Sequence, residues 1–222
     1  MSGERTVRQL LVGLPMLAPP LPRFDPEQAP KAPFPLFLDW LAAAVEAGVR
    51  EPHAMVLATA EPDGGPDARV VALRDADEDG WTFAAQRHSP KHRQLQRLGR
   101  AALLFHWREQ GRQIRVRGVA RHADAERSVA DFLARPPVSR AAGLVGRQSE
   151  PLADPAELDA AFAAALARAE ADPQLVDPAH VLVTVVPDSV EFWQGDPGRA
   201  HVRLRYARGG PQGRWRRERL WP

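Results

Sequence analysis

The chain has 222 residues, of which 44% are hydrophobic and 26% charged, a globular composition that excludes disordered and collagen-like proteins. It contains no cysteine, which excludes disulfides, thiolate metal sites and a cysteine nucleophile and favours a cytoplasmic setting. The net charge is only +2, and Lys31 and Lys91 are the only lysines among thirty basic residues. No apolar run approaches the ~20 residues of a membrane span, so we expect no membrane anchor.

The N-terminal segment is rich in proline, which prevents a long helix there. We therefore expect residues 1–33 to form an extended arm that packs on a partner subunit, and residues 34–222 to form one domain. Hydrophobic residues then recur at helical spacing from Pro35 until Gly48, where a helix would stop. This pattern predicts one amphipathic helix at the start of the domain.

Short runs of apolar and β-branched residues, separated by turn residues, predict strands along the rest of the chain. The predicted strands are 54–60, 68–73, 81–84, 101–107, 113–120, 180–186, 190–193, 201–206 and 215–220, and the later predicted helices are 90–98, 124–134 and 155–171. Because the first five strands are joined by short connections, we expect an antiparallel barrel. The predicted fold class is mainly β, with about four peripheral helices.

Several polar groups fall where strands and helices end. Strand alternation places Arg69 and Arg74 on opposite faces unless a bulge intervenes, and each needs a partner. Ser89 and Lys91 stand at a helix start, where free N–H groups, a hydroxyl and an ammonium could hold a phosphate. An ordinary N-cap serine explains the same pattern equally well.

Further arginines lie beside small hydrogen-bonding side chains, at 112–113, 135–140 and 147–150. Such pairs bind phosphates or polar heterocycle edges, although each pair taken singly is better explained by a solvated surface arginine. Arg199, His201 and Arg203 alternate along the chain, which predicts that they share one strand face. Aromatic residues at 192 and 193 precede them.

Taken together in chain order, these motifs resemble the pyridoxamine/pyridoxine 5′-phosphate oxidase family. The residues that carry the resemblance are 51–55 (EPHAM), 69–74 (RVVALR), 89–91 (SPK), 112–113 (RQ), 135–136 (RP), 147–149 (RQS), 191–195 (EFWQG) and 199–201 (RAH). The similarity runs from about Pro35 to Pro222. It implies an FMN-binding split β-barrel of antiparallel strands with peripheral helices, forming a homodimer with a flavin in each cleft between protomers.

The resemblance also implies site residues. FMN would contact Arg69, Val70, Val71, Arg74, Ala84, Ala85, Ser89, Lys91, Gln113, Trp193 and Arg203, with Gln148 and Ser149 supplied by the other protomer. The substrate would contact Arg74, Asp131, Arg135, Ser139, Arg199 and His201. Of these, Arg199 and His201 would be catalytic, lying over the substrate ring.

Some residues depart from the family pattern. Ala84 and Ala85 stand where the family often has a Tyr-Thr pair, so FMN is expected to bind more weakly. Asp131 stands where a tyrosine commonly helps bind the substrate phosphate, and its carboxylate is unfavourable there unless Arg135 or Arg140 neutralises it. These departures concern the substrate more than the cofactor.

The implied activity is oxidation of pyridoxine or pyridoxamine 5′-phosphate to pyridoxal 5′-phosphate by molecular oxygen, giving hydrogen peroxide. The run 146–150 and the arm also resemble the phenazine-biosynthesis branch, whose flavoenzymes oxidise reduced aromatic intermediates. A non-catalytic flavin carrier is a third possibility. The arginine-rich stretch 199–219 could suggest nucleic-acid binding, but the small net charge disfavours it, and Pro90 between His88 and His92 disfavours a metal site.

Overall fold

The computed structural model describes residues 6–209 and 213–222, so the first five residues of the predicted arm lie outside the described part. The helices are α1 (Val7–Leu11), α2 (Pro33–Glu46), α3 (Pro90–Leu98), α4 (Ala125–Leu133), α5 (Pro137–Leu144) and α6 (Pro155–Ala171), with 3₁₀ turns at Pro26–Gln28 and Arg108–Gln110. The strands are β1 (Ala54–Ala60), β2 (Pro66–Ala76), β3 (Trp81–Gln86), β4 (Arg100–Trp107), β5 (Arg112–His122), β6 (His180–Gln194), β7 (Val202–Ala207) and β8 (Arg216–Leu220).

All strand pairs are antiparallel, in the order β3-β2-β1-β4-β5-β6-β7-β8. An additional pairing of β3 with β6 closes the first six strands into a barrel, and β7 and β8 extend the sheet beyond β6. Closure removes the exposed sheet edges that an open six-stranded sheet would present. The structure confirms the predicted antiparallel split barrel with peripheral helices.

Helix α2 packs its apolar face against the barrel. The Phe37 ring lies 5.3 Å from Trp81 and 5.2 Å from Phe105, while Trp40 lies 5.2 Å from Phe192. These rings are buried, and each such side chain contributes about 1.5–3 kcal/mol of hydrophobic stabilisation. The helix therefore fixes strands β3, β4 and β6 relative to one another.

Strand β6 differs from the prediction. Two strands were expected at 180–186 and 190–193, but the structure forms one strand of 15 residues that runs through Pro187. Pro187 pairs with Gly118 where the β5–β6 register shifts, and a Cβ on Gly118 would lie 2.0 Å from the Val186 carbonyl oxygen. A bulge at Asp188 of β6, facing a glycine that leaves room for the close backbone approach, thus allows the proline to remain inside the sheet. Helices α1 and α5 were not predicted.

The proline-rich arm contacts the barrel of its own chain over its second half. The Phe24 ring lies edge-on to Trp40 at 5.0 Å, and the Tyr206 hydroxyl donates a 2.8 Å hydrogen bond to the Pro30 carbonyl. Near the start of the arm, α1 has no buried residue. The arm therefore has a packed part and an exposed part, and packing on a partner subunit stays a prediction.

Candidate active site

One cleft of ≈ 530 Å³ brings together three of the predicted phosphate-binding residues, Lys91, Arg135 and Ser139; we call it the basic cleft. Strands β2 and β3, helix α3 and the α4–α5 connection supply its walls. Its lining residues are Val71, Ala72, Arg74, Ala84, Lys91, Ala134, Arg135, Pro136 and Ser139. Residues predicted to bind cofactor and residues predicted to bind substrate thus meet in one place, although they are far apart in the sequence.

Lys91 lies at the first turn of α3, half-buried and close to Arg69. Burial, followed by the charge of Arg69, lowers the pKa of the Lys91 ammonium. Within the described residues, no carboxylate forms an ion pair with Lys91. Lys91 and Arg69 are therefore two neighbouring cations, and Lys91 has no carboxylate partner among the described residues. An anion that accepts charge-assisted hydrogen bonds from both would stabilise them. The residues present therefore fit the phosphate group of a cofactor such as FMN.

Arg69 is held in place from several sides. Its guanidinium forms an ion pair with Asp67 and donates hydrogen bonds to Thr59 and, at 3.1 Å, to Gln94 Oε1. An arginine on this strand was expected to need a partner, and it has four, the fourth being the Leu57 carbonyl oxygen at 3.4 Å. Since these contacts immobilise the side chain, little conformational entropy would be lost when an anion binds.

Three other predicted cofactor residues do not present their side chains to the basic cleft. Ser89 is fully buried, and its hydroxyl donates a 2.7 Å hydrogen bond to the Gln86 carbonyl. It makes no side-chain cap bond, so the N-cap interpretation is wrong for the hydroxyl. Val70 is 68% exposed but is not among the residues lining the basic cleft, and the Ala85 side chain packs in the core.

Asp131 on α4 accepts hydrogen bonds from three side chains. Arg74 and Arg135 approach it from the cleft wall, and His180 approaches from the start of β6. Burial by itself would raise the pKa of the Asp131 carboxyl, but the hydrogen bonds from His180 and Arg74 and the charges of Arg135 and Arg74 hold it well below its usual range. The carboxylate is therefore ionised at neutral pH.

The expected neutralisation of Asp131 comes from Arg135 and not from Arg140. The Arg140 side chain is buried and donates to the carbonyl oxygens of Pro173 and Ala169. Arg74 was not expected as a partner of Asp131. The β2–β3 register shifts between Leu73 and Asp75, and a bulge of this kind can redirect a side chain. His180 was not predicted as a site residue, because its position at a strand start gives no distinct signal.

A second cleft, of ≈ 330 Å³, contains the predicted neighbours of the flavin ring. Gln113, Trp193 and Arg203 occupy directly paired positions on β5, β6 and β7, so they form one row across the sheet. Leu104, Arg115 and Glu191 complete the lining. We call this the aromatic cleft. It shares no lining residue with the basic cleft.

Glu191 is a buried carboxylate that was not predicted as a site residue. It accepts two hydrogen bonds from Arg203, of 2.9 and 2.7 Å, and forms an ion pair with Arg115. Period-two spacing from Trp193 could have placed Glu191 on the same face of β6. The carboxylate fixes the Arg203 guanidinium beside Trp193.

His201 packs against Trp193, with ring centroids 4.8 Å apart and planes tilted by 44°. Its Nδ1 accepts a 3.0 Å hydrogen bond from the Asp196 N–H, so a neutral ring carries its proton on Nε2. The opposite side of the imidazole is therefore a donor available to a ligand.

The prediction that Arg199, His201 and Arg203 share a strand face is wrong. Strand β7 begins at Val202, so the first two residues precede it. Arg199 has φ 69° and donates its N–H to the Asp196 carbonyl at 3.0 Å, in a turn that Gly198 helps to form. Alternation does not continue through a turn, which is why the strand rule failed. Arg199 is exposed in this turn.

Gln148 and Ser149 lie in the loop between α5 and α6, where Ser149 adopts φ 68°. Both are exposed, and neither lines either cleft of its own chain. The neighbouring Arg147 pairs with Glu150 at 2.9 Å, which stabilises the loop. The assignment of these two residues to the flavin of another protomer stays a prediction.

The other interpretations find little support in the described residues. No group of three metal-binding side chains occurs there, and His92 instead hydrogen-bonds His122 at 2.8 Å between the Nε2 atoms. In the arginine-rich stretch, Arg203 pairs with Glu191 and Arg205 with Glu218. Among the same residues, none of the helices has the length and apolar character needed to cross a bilayer.

Comparison with known proteins gives consistent matches. Residues 41–194 match the pyridoxamine 5′-phosphate oxidase family, and residues 181–222 match the pyridoxine 5′-phosphate oxidase C-terminal dimerisation region. A relative from Rubrobacter xylanophilus, named pyridoxine/pyridoxamine 5′-phosphate oxidase, is 44% identical over 190 residues, covering 86% of this chain and 87% of that protein.

Solved structures agree with this assignment. PhzG from Burkholderia lata, in complex with tetrahydrophenazine-1-carboxylic acid, superposes with a TM-score of 0.84 and 35% identity, covering 91% of this chain and 99% of that one. An FMN-binding protein from Nostoc punctiforme shares the fold, with a TM-score of 0.69, 20% identity and coverage of 86% and 98%. With both clefts in place and both parts of the family matched, the chain belongs to the pyridoxamine 5′-phosphate oxidase family.

Proposed function

We propose that this protein is an FMN-dependent oxidase that converts pyridoxine 5′-phosphate or pyridoxamine 5′-phosphate to pyridoxal 5′-phosphate, with molecular oxygen as acceptor and hydrogen peroxide as product. The observation that carries the proposal is the basic cleft, where Lys91 lies in the same cleft as Arg135 and Ser139. Two separate sets of phosphate-binding side chains in one cleft suit a phosphorylated cofactor beside a phosphorylated substrate.

The chain's own residues would bind and orient both molecules. Lys91 and Arg69 would hold the FMN phosphate, and the row Gln113, Trp193 and Arg203 would contact the flavin ring. FMN, when bound, supplies the acceptor for hydride and the reaction with oxygen. Trp193 would exclude water from one face of the bound ring, and Arg203 would keep positive charge near it.

The substrate would be held at its anionic end by Arg74, Arg135 and Ser139. At its ring, His201 would donate a hydrogen bond from Nε2, since Nδ1 is already occupied by the Asp196 N–H. Arg199, in the neighbouring turn, would lie over the same ring. Fixing both ends of the substrate lets binding energy align the carbon that loses hydride.

We also propose that the active enzyme is a homodimer with FMN between the protomers. The match of residues 181–222 to a dimerisation region supports this assembly. The two clefts share no lining residue within one chain, and Gln148 and Ser149 are exposed. A flavin that bridges two subunits would explain why the two clefts are separate within one chain and why Gln148 and Ser149 are exposed. The cytoplasmic setting expected from the cysteine-free sequence stays a prediction.

The test is anaerobic bleaching of the FMN-loaded protein by pyridoxine 5′-phosphate and pyridoxamine 5′-phosphate. Rapid loss of the yellow colour, with pyridoxal 5′-phosphate formed in equal amount, is the expected result. An FMN-loaded protein that stays oxidised with both compounds would contradict the proposal.

A second candidate is a flavin oxidase of a reduced aromatic intermediate, of the phenazine-biosynthesis type. It is favoured by the structural similarity to PhzG, whose bound ligand is a carboxylic acid and carries no phosphate. The same bleaching experiment with a dihydro-aromatic carboxylic acid distinguishes the candidates. Bleaching by that compound alone would select this second function.

A further inference from the structure

Asp131 lies behind the part of the basic cleft assigned to the substrate anion. We call Arg74, Arg135 and Ser139 the substrate-anion site; all three line the cleft. Asp131 is absent from the lining, and its side chain is only 12% exposed. It therefore influences a bound anion through the two arginines rather than by direct contact.

Both oxygens of Asp131 are occupied. Oδ1 accepts a 2.8 Å hydrogen bond from Arg74 Nε, and Oδ2 accepts from Arg135 Nη2 at 2.7 Å and from His180 Nε2 at 2.9 Å. The donors come from β2, from the residue that follows the C-cap of α4, and from β6. One carboxylate thus fixes the two arginines of the substrate-anion site.

The arginines nevertheless keep donors for a ligand. Within residues 6–209 and 213–222, both Nη atoms of Arg74, Nη1 of Arg135 and the Ser139 hydroxyl make no hydrogen bond to protein. Their net charge is reduced, however, because two guanidinium groups and one ionised carboxylate carry one net positive charge in place of two. The interaction energy of an anion with this cluster depends on that net charge at short range.

We propose that Asp131 is a positioning residue that determines specificity: it preorganises Arg74 and Arg135 and lowers the charge of the substrate-anion site to match a singly charged group. A carboxylate or a singly ionised phosphate is such a group. A doubly ionised phosphate binds less tightly than it would without Asp131. The inference rests on the proposed function, since it takes these arginines as the site of the substrate anion.

The same strand–helix contact provides a matched control. Asp75 follows Arg74 on β2, and its carboxylate pairs with Arg127, one turn before Asp131 on α4, at 2.6 Å. Both partners are more than 40% exposed, and neither lines the cleft. Asp75→Asn therefore removes one negative charge and one β2–α4 ion pair without altering the substrate-anion site.

The experiment is a calorimetric titration of the FMN-loaded protein at pH 8 with phenyl phosphate, which is doubly charged there, and with benzoate, which is singly charged. Loading with FMN keeps both probes out of the cofactor-phosphate site. The variants are Asp131→Asn, which keeps the shape, and Asp131→Ser, whose hydroxyl can still accept the His180 hydrogen bond. FMN content and thermal unfolding establish which variants are folded.

Loss of the Asp131 charge should tighten phenyl phosphate binding at least tenfold and benzoate binding only about threefold, because the electrostatic energy scales with ligand charge. Asp75→Asn should change neither affinity. In the unsubstituted protein, phenyl phosphate should bind no more than about tenfold more tightly than benzoate. Unchanged or weaker phenyl phosphate binding, an equal gain for both probes, or a larger initial preference for phenyl phosphate would each overturn the inference.

The titration needs no turnover, so it separates this inference from the proposed function. Tightened phenyl phosphate binding, in a protein that oxidises neither vitamin phosphate, would contradict the activity and support the role of Asp131. Oxidation of both vitamin phosphates, with unchanged phenyl phosphate and benzoate affinities in the Asp131 variants, would support the activity and contradict the role of Asp131.

Discussion

Arg203 donates two hydrogen bonds to the same oxygen of Glu191, at 2.9 Å from Nε and 2.7 Å from Nη2. The other oxygen of Glu191 pairs with Arg115. Since the Glu191 side chain is only 8% exposed, the carboxylate sets the position of a guanidinium beside the predicted flavin ring. The Glu191–Arg203 ion pair therefore stabilises the fold and also positions a guanidinium in the aromatic cleft.

Glu191→Gln should lower the free energy of unfolding by about 1–2 kcal/mol, because a buried charged hydrogen-bond partner is lost while Arg203 remains partly buried. It should also weaken FMN binding, as Arg203 would no longer be fixed. Urea unfolding and flavin titration measure the two effects. The control is Glu218→Gln, in an exposed pair with Arg205, which should cost no more than about 0.5 kcal/mol. Equal effects of the two substitutions would contradict the prediction.

Lys91→Met should raise the Kd for FMN about 10- to 100-fold. The substitution removes a half-buried ammonium that would form a charge-assisted hydrogen bond with the phosphate, a contact of about 1.5–3 kcal/mol. Quenching of flavin fluorescence on titration measures the Kd. Lys31→Met changes the other lysine of the chain, which is exposed in the arm, and should leave the Kd unchanged. Equal affinity in the two variants would remove Lys91 from the cofactor site.

His201→Asn and Arg199→Ala should each slow turnover about 10- to 100-fold while FMN stays bound, since the substrate would be less well oriented. Steady-state oxygen consumption and the flavin content of the purified variants measure these quantities. Arg168→Ala, at an exposed position on α6, serves as the control. If both site variants turned over at the normal rate, their catalytic assignment would be wrong.

The pH dependence of stability should reveal the Asp131 contacts. The pKa of Asp131 lies below its ordinary value of 3.8 in the folded protein, so the unfolded chain binds the proton more readily. The stabilisation is therefore complete above about pH 5 and is lost as the pH falls through 3.8 toward the folded value.

At pH 7, Asp131→Asn should lower the free energy of unfolding by about 2 kcal/mol, less than for a fully buried pair because Arg74 is partly exposed. The difference from the unsubstituted protein should shrink below pH 4. Urea unfolding between pH 7 and pH 3 measures it. A difference that stays constant over this range would show that the ionised carboxylate does not supply the stabilisation.

The arm should divide into a dispensable part and a structural part. Deleting residues 1–16 removes α1, which has no buried residue, and should change the free energy of unfolding by less than about 1 kcal/mol. Deleting residues 1–30 also removes the Phe24 ring and the acceptor of the Tyr206 hydroxyl, and should cost more than about 3 kcal/mol. Thermal unfolding of both truncated proteins measures the two losses of stability. Equal stability of the two proteins would contradict the division of the arm.

The sequence by itself determined most of the elements and the residue types of the site. Period-two and helical spacing are local properties, so β1, α3 and α6 begin and end where the pattern predicted. The order of the arginine, lysine and tryptophan motifs likewise indicated the family. Local rules failed at Pro187, which stays inside one continuous β6 because that strand bulges at Asp188, where it faces Gly118 of β5.

The tertiary structure alone decided which side chains meet. The row Gln113, Trp193 and Arg203 depends on the register of β5, β6 and β7, which no single segment encodes. The partners of Asp131 come from three elements, and the β2–β3 register shifts where Arg74 stands. Long-range strand pairing and helix packing fix these contacts, because burial of the core selects one register out of several that the local pattern allows.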